Sequence, residues 1–192
     1  MSSLAEPRVR RWRRVEYDRL VDMGLFADER LELLDGVLVV REPQKSPHAA
    51  TVEMVARAVG AAFGAGWHVR RHSPLALDDV SEPEPDVAVV AGEPEDYFTE
   101  HPTTAALIVE VADSSLAFDR THKASLYARA GLAEFWIVDL VNMTLIVHRD
   151  PAPSSGAPHG AAYRSVDVLR RPATVTPLAA TTSIAVAHLL RG

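Results

Sequence analysis

The stretch ALIVEVA, residues 106–112, decides the fold. Six apolar residues in seven mark a buried strand of a central sheet. Strand alternation places Glu110 with Ile108 and Ala112 on one face, and Val109 with Val111 on the other. A lone carboxylate in such a run is costly unless a charge or a metal compensates it. Glu110 is therefore the most informative residue of the chain.

Working outward from this strand, a helix is predicted over residues 116–130. Ser114 or Ser115 would cap it, and Gly131 lies just beyond its end. A hairpin follows, with strands at 135–140 and 144–149 around Asn142. Residues 150–160 hold three prolines and two glycines and read as a mobile loop. The C-terminal part adds one or two strands and a short amphipathic segment at 184–190. Upstream, strands are predicted at 85–90 and at 67–71, the latter extending toward 77. Ser46-Pro47 opens a helix, with Ser as cap and Pro at the first helical position. Val52, Val55, Ala56, Val59, Ala62 and Phe63 follow at helical spacing, and Gly64-Ala65-Gly66 ends it. Residues 31–42 form a β-hairpin, LELL and VLVV around Asp35-Gly36, a dipeptide suited to a type I′ turn. A short helix over 15–25 precedes it. The fold class is a mixed α/β (α+β) domain, a mixed β-sheet flanked by helices, with an N-terminal helix and β-hairpin.

The chain has 192 residues, 47% hydrophobic and 24% charged, which excludes wholesale disorder and suits a single domain. It contains no cysteine, which excludes disulfides, a thiolate zinc site and a cysteine nucleophile. None of its eight histidines forms an H-E-x-x-H pair. The net charge of −6 is distributed unevenly. Arg8, Arg10, Arg11, Arg13 and Arg14 lie within seven residues, and the remainder carries 15 basic against 26 acidic residues. The expected organisation is a basic arm at 1–14 and one domain over 15–192. The arm is either a nucleic-acid contact or a solvated tail. The longest stretch without formal charge, residues 173–190, contains Pro177, His188 and five serines or threonines, so no membrane span is expected. Acidic residues follow the arginines where a signal peptide needs an apolar core. A cytoplasmic protein is the expectation.

Asp86 opens the strand DVAVV behind Pro85. If its strand neighbours that of Glu110, the two carboxylates converge at one end of the sheet. Paired hard oxygens there suit Mg²⁺ or Mn²⁺; strand-end solvation or a structural ion pair explains them equally. Asp119 and Lys123, four apart on the helix after Glu110, form either a surface pair worth about 0.2–0.5 kcal/mol or part of the same site. Glu32 is a third candidate acid or an outward-facing strand residue. His48 is a packing residue or a catalyst. Tyr127, one turn after Lys123, packs in the core by default. There is no Walker A sequence and no G-x-S-x-G elbow.

Taken in order, ELLDG (32–36), Pro47-His48, PDVAVV (85–90), IVEVADSS (108–115), then Asp119, Lys123, Tyr127 and Gly131 at four-residue intervals, then EFWIVD (134–139), resemble a known family. It comprises small proteins described as putative restriction endonucleases, abundant in cyanobacteria and actinobacteria, within the PD-(D/E)XK nuclease superfamily. The resemblance covers roughly residues 15–148. It implies a restriction-endonuclease-like core and hydrolysis of DNA phosphodiesters with Mg²⁺ (or Mn²⁺). It further implies metal ligation by Asp86, Glu110 and the Val111 carbonyl. The superfamily lysine two positions after Glu110 is Ala112 here, so the resemblance transfers that role to Lys123 on the next helix. Glu32 matches the upstream acid; His48, Asp119 and Tyr127 are supporting residues. Cutting both strands favours a homodimer. The competing classes are an inactive nuclease-fold module that binds nucleic acid or a protein partner, and a metal hydrolase of small phosphate esters.

Overall fold

The computed structural model describes residues 9–191. Arg8 and the start of the expected basic arm lie outside them. Helix α1 (Arg14–Asp22) leads into the hairpin β1 (Leu31–Leu34) and β2 (Val37–Val40). Asp35 and Gly36 both adopt positive φ (49° and 78°), as a type I′ turn requires. Gly36 is also sterically required, since a β-carbon there would lie 2.5 Å from the Arg11 Cβ.

Helix α2 (Ser46–Phe63) ends at Gly64, whose φ is 73°. Its cap is Lys45 and not Ser46: Ser46 lies inside the first turn and makes no capping bond. Strands β3 (Trp67–Arg71), β4 (Val87–Ala91), β5 (Leu107–Ala112), β6 (Glu134–Asp139), β7 (Thr144–Pro153) and β8 (Ala161–Leu169) form one sheet in that order. Only β5 and β6 are parallel, and the helical segment between them makes the crossover. That segment is α3 (Leu116–Phe118), a π-helical turn (Asp119–Lys123) and α4 (Ala124–Arg129). A small ladder of β9 (Thr174–Val175) and β10 (Ile184–Ala185) and a 3₁₀ turn (Val186–His188) close the chain.

The sheet divides the core in two. Val109 and Val111 face Val52, Val55 and Val59 of α2. Ile108 and Ala112 face Tyr127 and Ala128 of α4. Residues of β5 are buried throughout, as a central strand with helices on both faces must be. The segment expected as a loop at 150–160 is strand over 150–153 and loop over 154–160. Past Arg149, β7 pairs only with β8, so Pro151 and Pro153 sit where their missing N–H groups have no ladder partner to lose.

His148 on β7 is 4% exposed, stacked on Phe135 with ring centroids 5.2 Å apart and tilted against Tyr163. Burial pushes its pKa down to about 4, so the folded protein holds it neutral. The lowered folded value means the stabilisation is complete above pH 6.5 and is lost as pH falls toward 4. The wild-type chain should lose about 2 kcal/mol more unfolding free energy than His148→Leu between pH 7 and pH 4.5. Urea titrations at the two pH values check this; parallel losses in both chains would contradict it.

Candidate active site

Two strand ends and one helical turn bring the candidate residues together. Val87 pairs with Val109 across the β4–β5 ladder, so Asp86, one residue before β4, lies beside Glu110. Each carboxylate is held by the other's strand. The Asp86 main-chain N–H donates to Glu110 Oε2 at 3.3 Å, and the Val111 N–H donates to Asp86 Oδ2 at 2.8 Å. Both side chains are 2% exposed. Lys123 donates from Nζ to Glu110 Oε1 at 2.9 Å and lies 3.2 Å from Glu32 Oε2. The Tyr127 hydroxyl donates to the same Glu110 oxygen at 2.7 Å.

Lys123 thus pairs with Glu110 and Glu32, not with Asp119 on its own helix. The reason is the π turn: its wider winding takes side chains four apart off a common face. Asp119 accepts instead from the Ser115 hydroxyl at 2.6 Å, and it is buried. Tyr127 is fully buried, packs edge-on against Phe135, and adds the hydrogen bond to Glu110. His48, in the first turn of α2, has its Nε2 3.1 Å from Asp86 Oδ2.

Four further residues belong to the cluster. Arg41, directly after β2, donates from Nε to Glu32 (2.9 Å), from Nη1 to Glu84 (3.3 Å) and from Nη2 to Asp86 (3.0 Å). Gln44 donates to Asp86 Oδ1 at 3.3 Å, and His72 Nδ1 stands 3.4 Å from it. The signal for Arg41 was present in the hairpin register. Glu32 opposes Val39, so Arg41, two residues on, lies on the same face of the ribbon.

Glu32, Arg41, His48, Asp86, Glu110 and Lys123 line a cleft of about 510 Å³. Its charges do not balance. Glu32, Glu84, Asp86, Glu110 and Asp119 face the fixed cations Arg41 and Lys123. Burial, with added repulsion from Asp86, Asp119 and Glu32, outweighs the pull of Lys123 and pushes the Glu110 carboxyl up to about 7. Burial also raises Asp86, but the hydrogen bonds of His48 and His72 win and hold it well below the usual carboxylate range. Burial lowers Lys123, yet Glu110, Glu32 and Asp119 keep it protonated and above its ordinary value. Burial likewise opposes protonation of His48, and its bond to Asp86 overcomes this and raises its pKa.

The donor chemistry fits a divalent cation. Two hard carboxylates sit together in a cleft short of positive charge, the setting that Mg²⁺ or Mn²⁺ satisfies. Among the described residues no group of three or more His, Cys, Asp or Glu side chains is disposed to hold a metal. A site of two carboxylates completed by a main-chain carbonyl and waters has fewer side-chain ligands than that.

The basic arm is placed elsewhere. Arg10 pairs with Glu16, Arg11 with Asp35, Arg13 with Asp79 at 3.3 Å, and Arg14 with Asp18 and Glu82 at 3.7 and 3.9 Å. None of these four lines the cleft. Arg14 is already the first residue of α1, and the Trp12 N–H donates to the Gly36 carbonyl, so this part of the arm packs on the hairpin.

A family model described as "Putative restriction endonuclease", named Uma2, matches residues 14–187. The chain belongs to this family. Among solved structures, the Uma2 chain is similar to a crystal structure from Anabaena variabilis ATCC 29413 described as a putative nuclease. Identity is 14% and the TM-score 0.63, with 84% of this chain and 90% of that chain covered. At that identity the likeness speaks for the fold alone: a mixed sheet with flanking helices. No curated protein matches. No helix among the described residues is long and apolar enough to cross a membrane.

The buried ion pair generates a stability prediction. Lys123→Met strands Glu110 and Glu32 without their shared cation and should cost about 3 kcal/mol at neutral pH. Glu110→Gln/Lys123→Met removes both partners and should recover more than half of that loss. Denaturant unfolding of the four-member cycle measures it; additive losses would show that Lys123 and Glu110 are energetically independent.

Proposed function

We propose that the chain is a divalent-metal-dependent endonuclease that hydrolyses phosphodiester bonds in DNA. The observation that carries this reading is the meeting of Asp86, Glu110 and Lys123 in one cleft, in a chain of the Uma2 family. Asp86, Glu110 and the Val111 carbonyl would hold the ion. When bound, Mg²⁺ or Mn²⁺ supplies a Lewis acid that lowers the pKa of a water and offsets charge on the phosphoryl oxygens.

The remaining steps belong to the chain's own residues. Lys123 stays protonated among three carboxylates and directs Nζ toward the space beside Glu110. There it orients the attacking water or stabilises charge on the transferring phosphoryl group. Tyr127 fixes the rotamer of Glu110 through its hydroxyl, and His48 does the same for Asp86. Glu32 holds Lys123 from the hairpin side. Asp119 adds negative potential that keeps Lys123 charged.

Binding of DNA by a chain of net charge −6 requires local phosphate neutralisation. The reading assigns this to the arm, Arg8, Arg10, Arg11, Arg13 and Arg14, whose partners Glu16, Asp35 and Asp79 would exchange for phosphates. Two strands require two sites, so the enzyme would act as a homodimer of a single nuclease domain, in the cytoplasm.

Purified protein should nick or cut plasmid DNA with Mg²⁺ or Mn²⁺ and lose all activity with a chelator. Asp86→Asn and Glu110→Gln should each lower the rate at least about 1,000-fold while keeping the far-ultraviolet dichroism of the wild type. Cleavage that survives both substitutions would contradict the assignment. A folded chain that binds duplex DNA yet cuts none under either metal would instead be the inactive nuclease-fold module.

A further inference from the structure

Asp86 has no free acceptor site. A carboxylate offers about four lone-pair directions, two on each oxygen. Oδ1 takes Arg41 Nη2 at 3.0 Å and Gln44 Nε2 at 3.3 Å, with His72 Nδ1 also standing 3.4 Å from it. Oδ2 takes the Val111 N–H at 2.8 Å and His48 Nε2 at 3.1 Å. Three of these four donors come from one short stretch, residues 41–48, that joins β2 to the first turn of α2. A cation approaching Asp86 must displace one of them.

Among the charged side-chain donors, Arg41 is the one that keeps other carboxylate partners when it releases Asp86. The Val111 N–H is main chain of the central sheet and cannot leave. Arg41 keeps two other carboxylates, Glu32 through Nε and Glu84 through Nη1, when its Nη2 lets go. It is also the group most repelled by an incoming divalent charge. Its side chain is 12% exposed and lines the cleft, so the released edge of the guanidinium faces the space a substrate would enter. A guanidinium edge with free N–H donors is suited to phosphate oxygens.

We propose that Arg41 is an exchangeable clamp: it neutralises Asp86 in the metal-free protein, yields Asp86 to a divalent cation, and then offers its freed edge to a phosphate of the DNA backbone. The proposal rests on Asp86 and Glu110 being the metal ligands. It imposes an order, metal before DNA. It also accounts for how an acidic cleft admits a polyanion: metal binding both cancels carboxylate charge and frees a cation.

Mn²⁺ binding followed by electron paramagnetic resonance, without DNA, tests the first half. Arg41→Gln should bind Mn²⁺ about tenfold more tightly than wild type, because the ion no longer competes with a guanidinium. Arg30→Gln removes an equal charge near Glu84, 3.8 Å away, without touching Asp86. It should change the affinity less than about twofold. Duplex-oligonucleotide anisotropy with Ca²⁺ or with chelator tests the second half. Wild type should gain about tenfold in DNA affinity on adding the metal, and Arg41→Gln should gain none beyond about twofold.

Equal tightening in Arg41→Gln and Arg30→Gln would overturn the clamp in favour of a general charge effect. So would a metal-dependent gain in DNA affinity that persists in Arg41→Gln. Mn²⁺ binding indifferent to Asp86→Asn would instead remove the metal-site reading itself, and the clamp with it. Should Arg41→Gln fail to fold, the wild type decides. The ¹⁵N guanidinium signals of Arg41 should shift on saturation with Mg²⁺ and shift again on adding a dinucleotide; signals unmoved by Mg²⁺ would overturn the proposal.

Discussion

Lys123, Glu110 and Tyr127 form the contact around which the molecule is arranged. It ties the middle strand of the sheet to the helical segment that follows, through two bonds to one carboxylate oxygen. Burying such a pair is expensive, and apolar residues of similar volume are often as stable or more so. The chain makes the arrangement tolerable by sharing Lys123 with Glu32 from the hairpin and by giving Glu110 the main-chain N–H of Asp86. The hairpin, which belongs to a separate two-stranded sheet, is thereby bound to the main one. An arrangement so costly, at the end of a cleft, is the physical ground for reading these residues as a site.

The second constraint is charge. Five carboxylates converge on two fixed cations, and the protein divides the burden unequally. Asp86, ringed by Arg41, Gln44, His48 and the Val111 N–H, stays ionised. Glu110, equally buried but met by one lysine, one phenol and one main-chain N–H, is driven upward. In the proposed site, a cation between these neighbouring acids would relieve both. The π turn serves the same end, since it turns Lys123 inward and leaves Asp119 to Ser115.

Much of this was legible in the sequence. The run ALIVEVA required a central strand, and alternation put Glu110 on one face with Ile108 and Ala112, the face where Tyr127 meets it. Asp35-Gly36 fixed the hairpin, but whether Glu32 faced inward stayed open until the structure showed it buried. Arg41 went unread because a charge at the end of an exposed hairpin looks like a solvated one; only the register reveals that it shares a face with Glu32. The π turn left no signal, because no residue type encodes an i→i+5 bond as Gly encodes positive φ. The arginine arm looked free because its neutralisation by Glu16, Asp35 and Asp79 depends partly on residues distant in sequence. Likewise Pro151 and Pro153 suggested a loop, since nothing local shows that the β6 ladder stops at Arg149.

The account stands on a cation held between Asp86 and Glu110. Anomalous diffraction from crystals soaked in Mn²⁺ tests it most directly. The account predicts a single strong peak about 2.1–2.3 Å from a carboxylate oxygen of each residue and from the Val111 carbonyl, with the Arg41 guanidinium drawn back from Asp86. A map with no peak in this cleft at saturating Mn²⁺, or with the metal bound elsewhere and Arg41 still on Asp86, would contradict it.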